Sequence, residues 1–277
     1  MTAELSHAHR DGGAGGLARG LVASAHAGPA LAVTVLAALL ALAQGLETGR
    51  AALVVAAVLA GQLSIGWSND LVDLARDRTA GRGDKPLATG AVPPVVVGAC
   101  CVAALVACVP LSLACGTAAG LVHLLCVAAG WAYNLGLKAT VLSWLPYAVA
   151  FGGLTVFVAL ADGDRAPWWW PVCGALLGVG AHLLNVLPDL DDDAATGVRG
   201  LPHVLGPRRI APVAAVVLVG ASAAALVGAA PSTAVTVVAA LAVAALAVVV
   251  VAATGRRPFV AAVGIALVDA ALLVVGR

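Results

Sequence analysis

Residues 51–70 read AALVVAAVLAGQLSIGWSND, and residues 71–90 continue LVDLARDRTAGRGDKPLATG. The first of these segments contains a single ionisable side chain, Asp70, at its very end. An apolar run of about 20 residues matches the ~30 Å hydrocarbon core of a bilayer, so it reads as a membrane-spanning helix that ends in acid. The same kind of run recurs throughout a chain that is 62% hydrophobic, only 10% charged and of mean hydropathy +1.03. Candidate spans cover 21–46, 51–70, 94–112, 114–135, 139–161, 168–188, 209–229, 232–254 and 258–275.

The fold class expected is therefore all-α: a polytopic membrane protein of about nine transmembrane helices. Ala, Val, Leu and Gly supply the bulk, which suits close helix packing, and long alternating segments of a β-barrel are missing. Cys100, Cys101, Cys108, Cys115, Cys126 and Cys173 lie within apolar runs without CxxC spacing and read as small buried hydrophobes. A formal charge of +1 gives no reason to expect a nucleic-acid partner. Residues 1–20 are polar and Gly-rich and are expected to form a disordered cytoplasmic tail, leaving 21–277 as a single transmembrane domain.

With nine spans, Arg10, Arg19, Arg76, Arg78, Arg82, Lys85, Lys138, Arg199, Arg208, Arg209, Arg256 and Arg257 fall on the N-terminal side, and Arg50, Arg165 and Arg277 on the other. That bias predicts a cell-membrane protein with a cytoplasmic N-terminus. Trp168, Trp169 and Trp170 fall at the opposite face, where an interfacial indole belt is expected.

On a helix of 100° per residue, Asp70, Asp73 and Asp77 lie within about 60° of one another, so three carboxylates share one face. A second acid-rich stretch, NVLPDLDDDAATGVRGLPHVLG (185–206), places Asp189 and Asp193 one turn apart with Asn185 a turn earlier. Pro188 is expected to kink this segment. Both stretches follow even-numbered spans and emerge on one side, as they would if spans 1–4 and 5–8 were two similar four-helix units around a central cavity, with span 9 appended.

Facing carboxylate clusters call for cations. Mg²⁺ prefers oxygen ligands and is commonly held by a few carboxylates together with substrate phosphates. The expected metal ligands are Asp70, Asp73, Asp77, Asp189 and Asp193, holding two Mg²⁺ ions and bridging a diphosphate. Arg78, Arg82, Lys85, Lys138 and Arg199 stand nearby in sequence to meet the remaining phosphate oxygens.

NDLVDLARD, with Asn69, Asp70, Asp73 and Asp77, matches the NDxxDxxxD signature of the UbiA-type intramembrane prenyltransferases, and the second acid run resembles their DxxxD signature at Asp189 and Asp193. DKPLATG is similar to the family's RPLxSG-like segment, with Lys85 in place of arginine. GVRGLP is similar to its GxRSLP segment, with Gly200 in place of a small hydroxyl residue. Tyr133 and Lys138 in YNLGLK resemble its Tyr…Lys element with a spacing that differs by one. The resemblance implies Mg²⁺-dependent ionisation of an allylic prenyl diphosphate and capture of the cation by a lipophilic acceptor, expected to be aromatic or a quinone precursor. Asn69, Arg78, Lys85, Tyr133, Lys138, Asn185 and Arg199 are the substrate-binding residues expected on this basis.

Trp67, Trp131, Tyr133, Trp144, Tyr147 and Phe151 are candidates for the wall of the prenyl pocket, whose rings would face a cation. Gly130 and Ala150 are expected to be small wall positions where a bulky side chain shortens the preferred prenyl chain. His26 and His182 read as structural histidines, and Asp269 as either a functional intramembrane acid or a packing residue. Three other readings stay open. A terpene cyclase on the same scaffold would need no acceptor, a secondary transporter would bind without turnover, and a CDP-alcohol phosphotransferase would require a DG…AR motif that NDLVDLARD lacks.

Overall fold

The computed structural model describes residues 14–275, which form helices and no strand among the described residues. In chain order these are α1 (Ala14–Ser24), α2 (Ala27–Ala43), α3 (Thr48–Thr79), α4 (Pro86–Thr89), α5 (Pro94–Ala114), α6 (Thr117–Asn134), α7 (Leu145–Ala161), α8 (Trp169–Val186), α9 (Leu190–Ala195), α10 (Leu201–Leu205), α11 (Pro207–Ala229), α12 (Thr233–Ala252) and α13 (Arg257–Val275). Among the described residues α3, α5, α11, α12 and the run Trp169–Ala195 are each long and apolar enough to cross a membrane, and the bent pair α1–α2 makes a sixth. Val102, Val106, Leu121, Leu125, Val238, Leu241 and Val248 point outward, as lipid-facing side chains do.

Each long helix packs on the next in the order α2, α3, α5, α6, α7, α8, α11, α12, α13, and α13 returns to α2, so the bundle closes on itself. Small residues make the close approaches possible. A Cβ on Gly178 would stand 2.5 Å from the Tyr147 carbonyl oxygen, and one on Gly174 would stand 2.6 Å from that of Phe151. α7 and α8 therefore touch backbone to backbone, the way membrane helices gain packing without a hydrophobic drive.

Two features depart from the sequence reading. The tail expected to be disordered over 1–20 is helical from Ala14 onward; the rest of it, residues 1–13, lies outside the described residues. The first span, expected as one run over 21–46, is broken at His26, where α1 turns 68° away from α2. The tryptophan belt is also corrected in part. Trp168 is exposed as expected, but Trp169 and Trp170 are buried at 5% and 3%, and the Trp169 ring fills the space beside Gly228.

The two acid stretches occupy matching places. α3 runs for 32 residues, about 48 Å at 1.5 Å per residue, so its acidic last turns outreach the ~30 Å core. After it come the short helix α4, closed by Gly90 at φ 79°, and then α5, which opens on Pro94. α8 is followed by a 3-10 turn at Leu187–Asp189, by α9 and α10, by Gly206 at φ 76°, and by α11, which opens on Pro207. Pro188 sits in that 3-10 turn, where its missing N–H breaks the α-helical ladder as its chemistry requires. The opposite end of the bundle carries a different set of contacts, Gln44 donating to Asp164 at 3.2 Å and Arg50 donating to the Ala161 carbonyl.

Candidate active site

The inner face of α3 carries the first cluster. Asp70, Asp73 and Asp77 are all buried, at 1%, 6% and 6% exposure, as their shared helical face requires. Burying carboxylates is costly unless they are paired, and the surrounding segments supply the partners. Lys85, just before α4, places Nζ 2.6 Å from Asp70 Oδ1. Lys138, in the 3-10 turn Leu137–Ala139 after α6, lies 2.6 and 2.7 Å from the two oxygens of Asp73. Arg76 reaches the same carboxylate at 2.8 Å from one turn along α3.

The second cluster is more open. Asp189, Asp191 and Asp192 are exposed and Asp193 is half-buried. Arg82 reaches across from the first stretch: it holds Asp84 at 2.8 Å and approaches Asp192 at 3.9 Å. Its hydrogen bonds to Asp84 push the guanidinium pKa up, and the negative fields of Asp84, Asp189 and Asp77 add to that rise. Arg82 thus stands between the two acid motifs.

A second connection is mechanical. The loop after α9 leans on the Lys138 segment: a Cβ on Gly200 would stand 2.6 Å from the Lys138 carbonyl oxygen and 2.7 Å from Ser143 Oγ. Ser143 Oγ accepts from the Leu201 backbone N–H and pairs with His182 Nε2, both at 3.0 Å. His203 pins the other side. Its Nδ1 accepts from Gly200 N–H at 3.2 Å, and its Nε2–H donates to the Leu190 carbonyl at 3.2 Å. The motif at 189–193 is thereby joined through Gly200 to Lys138, and through Lys138 to Asp73.

Of the site residues expected from sequence, Asn69, Asp70 and Lys85 come together around His26, Asp73 and Lys138 form a second pair on the same face of α3, Asp77 lies on that buried face too, and Tyr133 stands edge-on to Tyr147 at 5.3 Å and to His182 at 5.8 Å. Arg78, Asn185 and Arg199 are exposed, and none of them makes an ion pair among the described residues. The offset spacing of Lys138 does not take it away from the site, because the 3-10 turn after Gly136 brings its side chain back to Asp73. At Gly130 a Cβ would lie 2.5 Å from Ile65 Cδ1, so this position faces the contact between α6 and α3. Two contributors were missed. Arg76 is legible one turn after Asp73, but His26, taken for a structural histidine, lies 2.8 Å from Asp70 through a fold in the chain that its local sequence does not announce.

One buried and one open acid motif, with basic side chains set against them at one end of a closed helical bundle, form an arrangement suited to a metal-bound diphosphate, and comparison with known proteins gives its family. The UbiA prenyltransferase family matches residues 30–267.

The chain belongs to the UbiA prenyltransferase family.

A relative named digeranylgeranylglyceryl phosphate synthase, from Halobacterium salinarum, is 34% identical over a 222-residue alignment that covers 74% of this chain and 76% of that protein. Among solved structures, a UbiA homolog from Aeropyrum pernix K1 has a TM-score of 0.72 at 20% identity and covers 94% of this chain and 98% of its own. A UbiA homolog from Archaeoglobus fulgidus, solved with GPP and Mg²⁺, has a TM-score of 0.68 at 15% identity and covers 93% of this chain and 98% of its own. At those identities the structures speak for the fold, and the UbiA prenyltransferase assignment rests on the sequence matches.

Proposed function

We propose that this prenyltransferase moves an isoprenyl group from an allylic prenyl diphosphate to a lipophilic acceptor, with Mg²⁺ at the two acid motifs and release of pyrophosphate. The observation that carries the reading is the pairing of Asp70 and Asp73 with Lys85 and Lys138. Opposite charges already stand side by side where a metal-bound diphosphate needs both.

The donor set fits Mg²⁺. Among the described residues no three carboxylate, imidazole or thiol groups enclose an ion by themselves. Mg²⁺ does not require such a cage, because it keeps several waters and shares its ligands with phosphates. Asp70 Oδ2 is buried without a partner, an oxygen left available for a cation. Asp70, Asp73 and Asp77 would hold the metal from one side, Asp189 and Asp193 from the other. When bound, Mg²⁺ supplies neutralisation of the charge that grows on the departing pyrophosphate.

The protein's own side chains do the rest. Lys85, Lys138, Arg76 and Arg82 offer N–H donors to diphosphate oxygens as the C–O bond opens, and a charge held in place stabilises the leaving group without reorganisation. Tyr133, Tyr147 and Phe151 stand together beneath them, with Tyr147 stacked on Phe151 at 6.4 Å. Their faces suit an allylic cation, and the apolar helices around them keep water from it. The prenyl tail lies among the helices and the diphosphate at the mouth, which we place on the cytoplasmic side.

The relative from Halobacterium salinarum supports an alcohol on a glyceryl phosphate as the acceptor, and the aromatic or quinone-precursor reading competes with it. Purified protein incubated with Mg²⁺, C10 to C20 prenyl diphosphates and each acceptor class in turn decides between them. Product with the glyceryl phosphate supports the first, product with the aromatic acceptor the second, and hydrocarbon or terpene alcohol without any acceptor would make the protein a cyclase.

A further inference from the structure

The corner between α1 and α2 brings His26 to Asp70 across 44 residues of sequence. His26 Nε2 lies 2.8 Å from Asp70 Oδ1, 3.1 Å from Lys85 Nζ and 3.3 Å from Asn69 Nδ2. Lys85 Nζ touches the same Oδ1 at 2.6 Å, while Asp70 Oδ2 is buried with no partner. The two oxygens of one carboxylate are thus treated differently.

The backbone at His26 is held in a conformation that a side chain resists. Its φ of 51° and ψ of 52° are left-handed, a placement that L-residues other than glycine seldom adopt. The surrounding contacts impose it. A Cβ on Gly66 would stand 2.1 Å from the Ala25 carbonyl oxygen, so the corner sits directly on the α3 backbone. Trp67 Nε1–H donates to the Leu21 carbonyl at 3.0 Å and ties down α1. Gly66, Trp67, Asn69 and Asp70 follow one another on α3, so the surface that receives the corner runs into the acid motif.

From this we infer that His26 is a positioning residue of the diphosphate site, which with Lys85 holds Asp70 by Oδ1 and so leaves Oδ2 for a Mg²⁺ ion that would accompany the diphosphate. The inference rests on the reading under Proposed function. Lys85 Nζ and Asn69 Nδ2 donate and the carboxylate accepts, so Nε2–H donates to Asp70 in one ring tautomer and Nε2 accepts from Lys85 or Asn69 in the other. When Lys85 turns to a phosphate oxygen, His26 remains as the partner that keeps Asp70 in place. Groups that orient a metal ligand in this way typically contribute 10- to 100-fold to metal affinity.

His26→Gly separates the ring from the backbone, because glycine accepts positive φ without strain. Calorimetry would follow Mg²⁺ binding to the full-length protein with a non-hydrolysable geranyl thiodiphosphate, alongside thermal unfolding. Expected are a His26→Gly protein as heat-stable as the wild type, Mg²⁺ binding weakened about tenfold or more, and recovery of most of the loss in His26→Gln, whose amide restores a side-chain donor. Wild-type Mg²⁺ affinity in a folded His26→Gly protein would overturn the positioning role while leaving the prenyl transfer reading intact. If the wild type itself binds no Mg²⁺–thiodiphosphate, the reading under Proposed function falls and this role falls with it.

Discussion

Lys138 Nζ lies 2.6 and 2.7 Å from the two oxygens of Asp73, joining the turn after α6 to the acidic end of α3. Both side chains are nearly buried, at 10% and 8% exposure, so neither charge is well solvated alone. Removing Lys138 takes one of two cations from Asp73 and leaves Arg76 as its partner at 2.8 Å, so the cost is smaller than the about 3 kcal/mol or more of a buried charge left wholly unpaired. Lys138→Ala is therefore expected to lower thermal stability, and Asp73→Asn in the same protein to restore it. Catalysis should not return with it, since the lysine is also needed by the leaving group; kcat is expected to stay down by about 100-fold. Unfolding curves and steady-state kinetics on the two variants check both halves.

Gly200 presses against the Lys138 carbonyl, so its neighbourhood is a second test of how the motifs are joined. Gly200→Val has to displace backbone as well as Ser143, and overpacking of that kind costs about 1–3 kcal/mol. Activity should fall with it because Lys138 moves. Ser143→Ala leaves Leu201 N–H and His182 without their shared partner. The expected outcome is a milder version of the same defect, read in kcat with the KM for prenyl diphosphate little changed.

How much of this was legible in the sequence depended on how local the signal was. Apolar runs and the three-aspartate face follow from helical periodicity alone, so α3 and its buried acids were readable from residues 48–79. The Lys138 contact depended on the 3-10 turn after Gly136, whose φ of 149° no periodicity announces. His26 was out of reach because its placement comes from a left-handed corner docked on Gly66, a tertiary event. Small residues carry no such mark: Gly130 and Ala150 were expected alike at the pocket wall, yet a Cβ on Gly130 would meet Ile65 at the α3–α6 contact.

That distinction yields a prediction on chain length. Gly130→Val is expected to destabilise the α3–α6 contact, without the shortening of preferred prenyl chain that a wall position would give. Ala150, half-buried on α7 one residue before Phe151, keeps the expectation of a wall: Ala150→Phe should favour C10 over C20 donors at unchanged Mg²⁺ dependence. A chain-length series on both variants, with thermal unfolding beside it, tells the two apart.

The Arg82–Asp84 pair sets an expectation for pH. The Arg82 hydrogen bonds hold the Asp84 carboxyl down to about 2, below the ordinary carboxylate range of ~3.9. A depressed folded pKa gives stability that is present above the unfolded value and is lost only as pH falls through about 2. The response of activity to pH between 7 and 5 should therefore be the same in Asp84→Asn as in the wild type. Asp84 is 61% exposed, so little change in stability is expected either.

If both acid motifs serve one Mg²⁺-dependent diphosphate site, pyrophosphate release depends on each of them. Wild-type protein with a prenyl diphosphate and its acceptor should release pyrophosphate only when Mg²⁺ is present. Asp70→Ala and Asp189→Ala, one from each motif, should each abolish that release while the protein remains folded in detergent. Release at wild-type rate from either variant, with the Mg²⁺ dependence unchanged, would contradict the account.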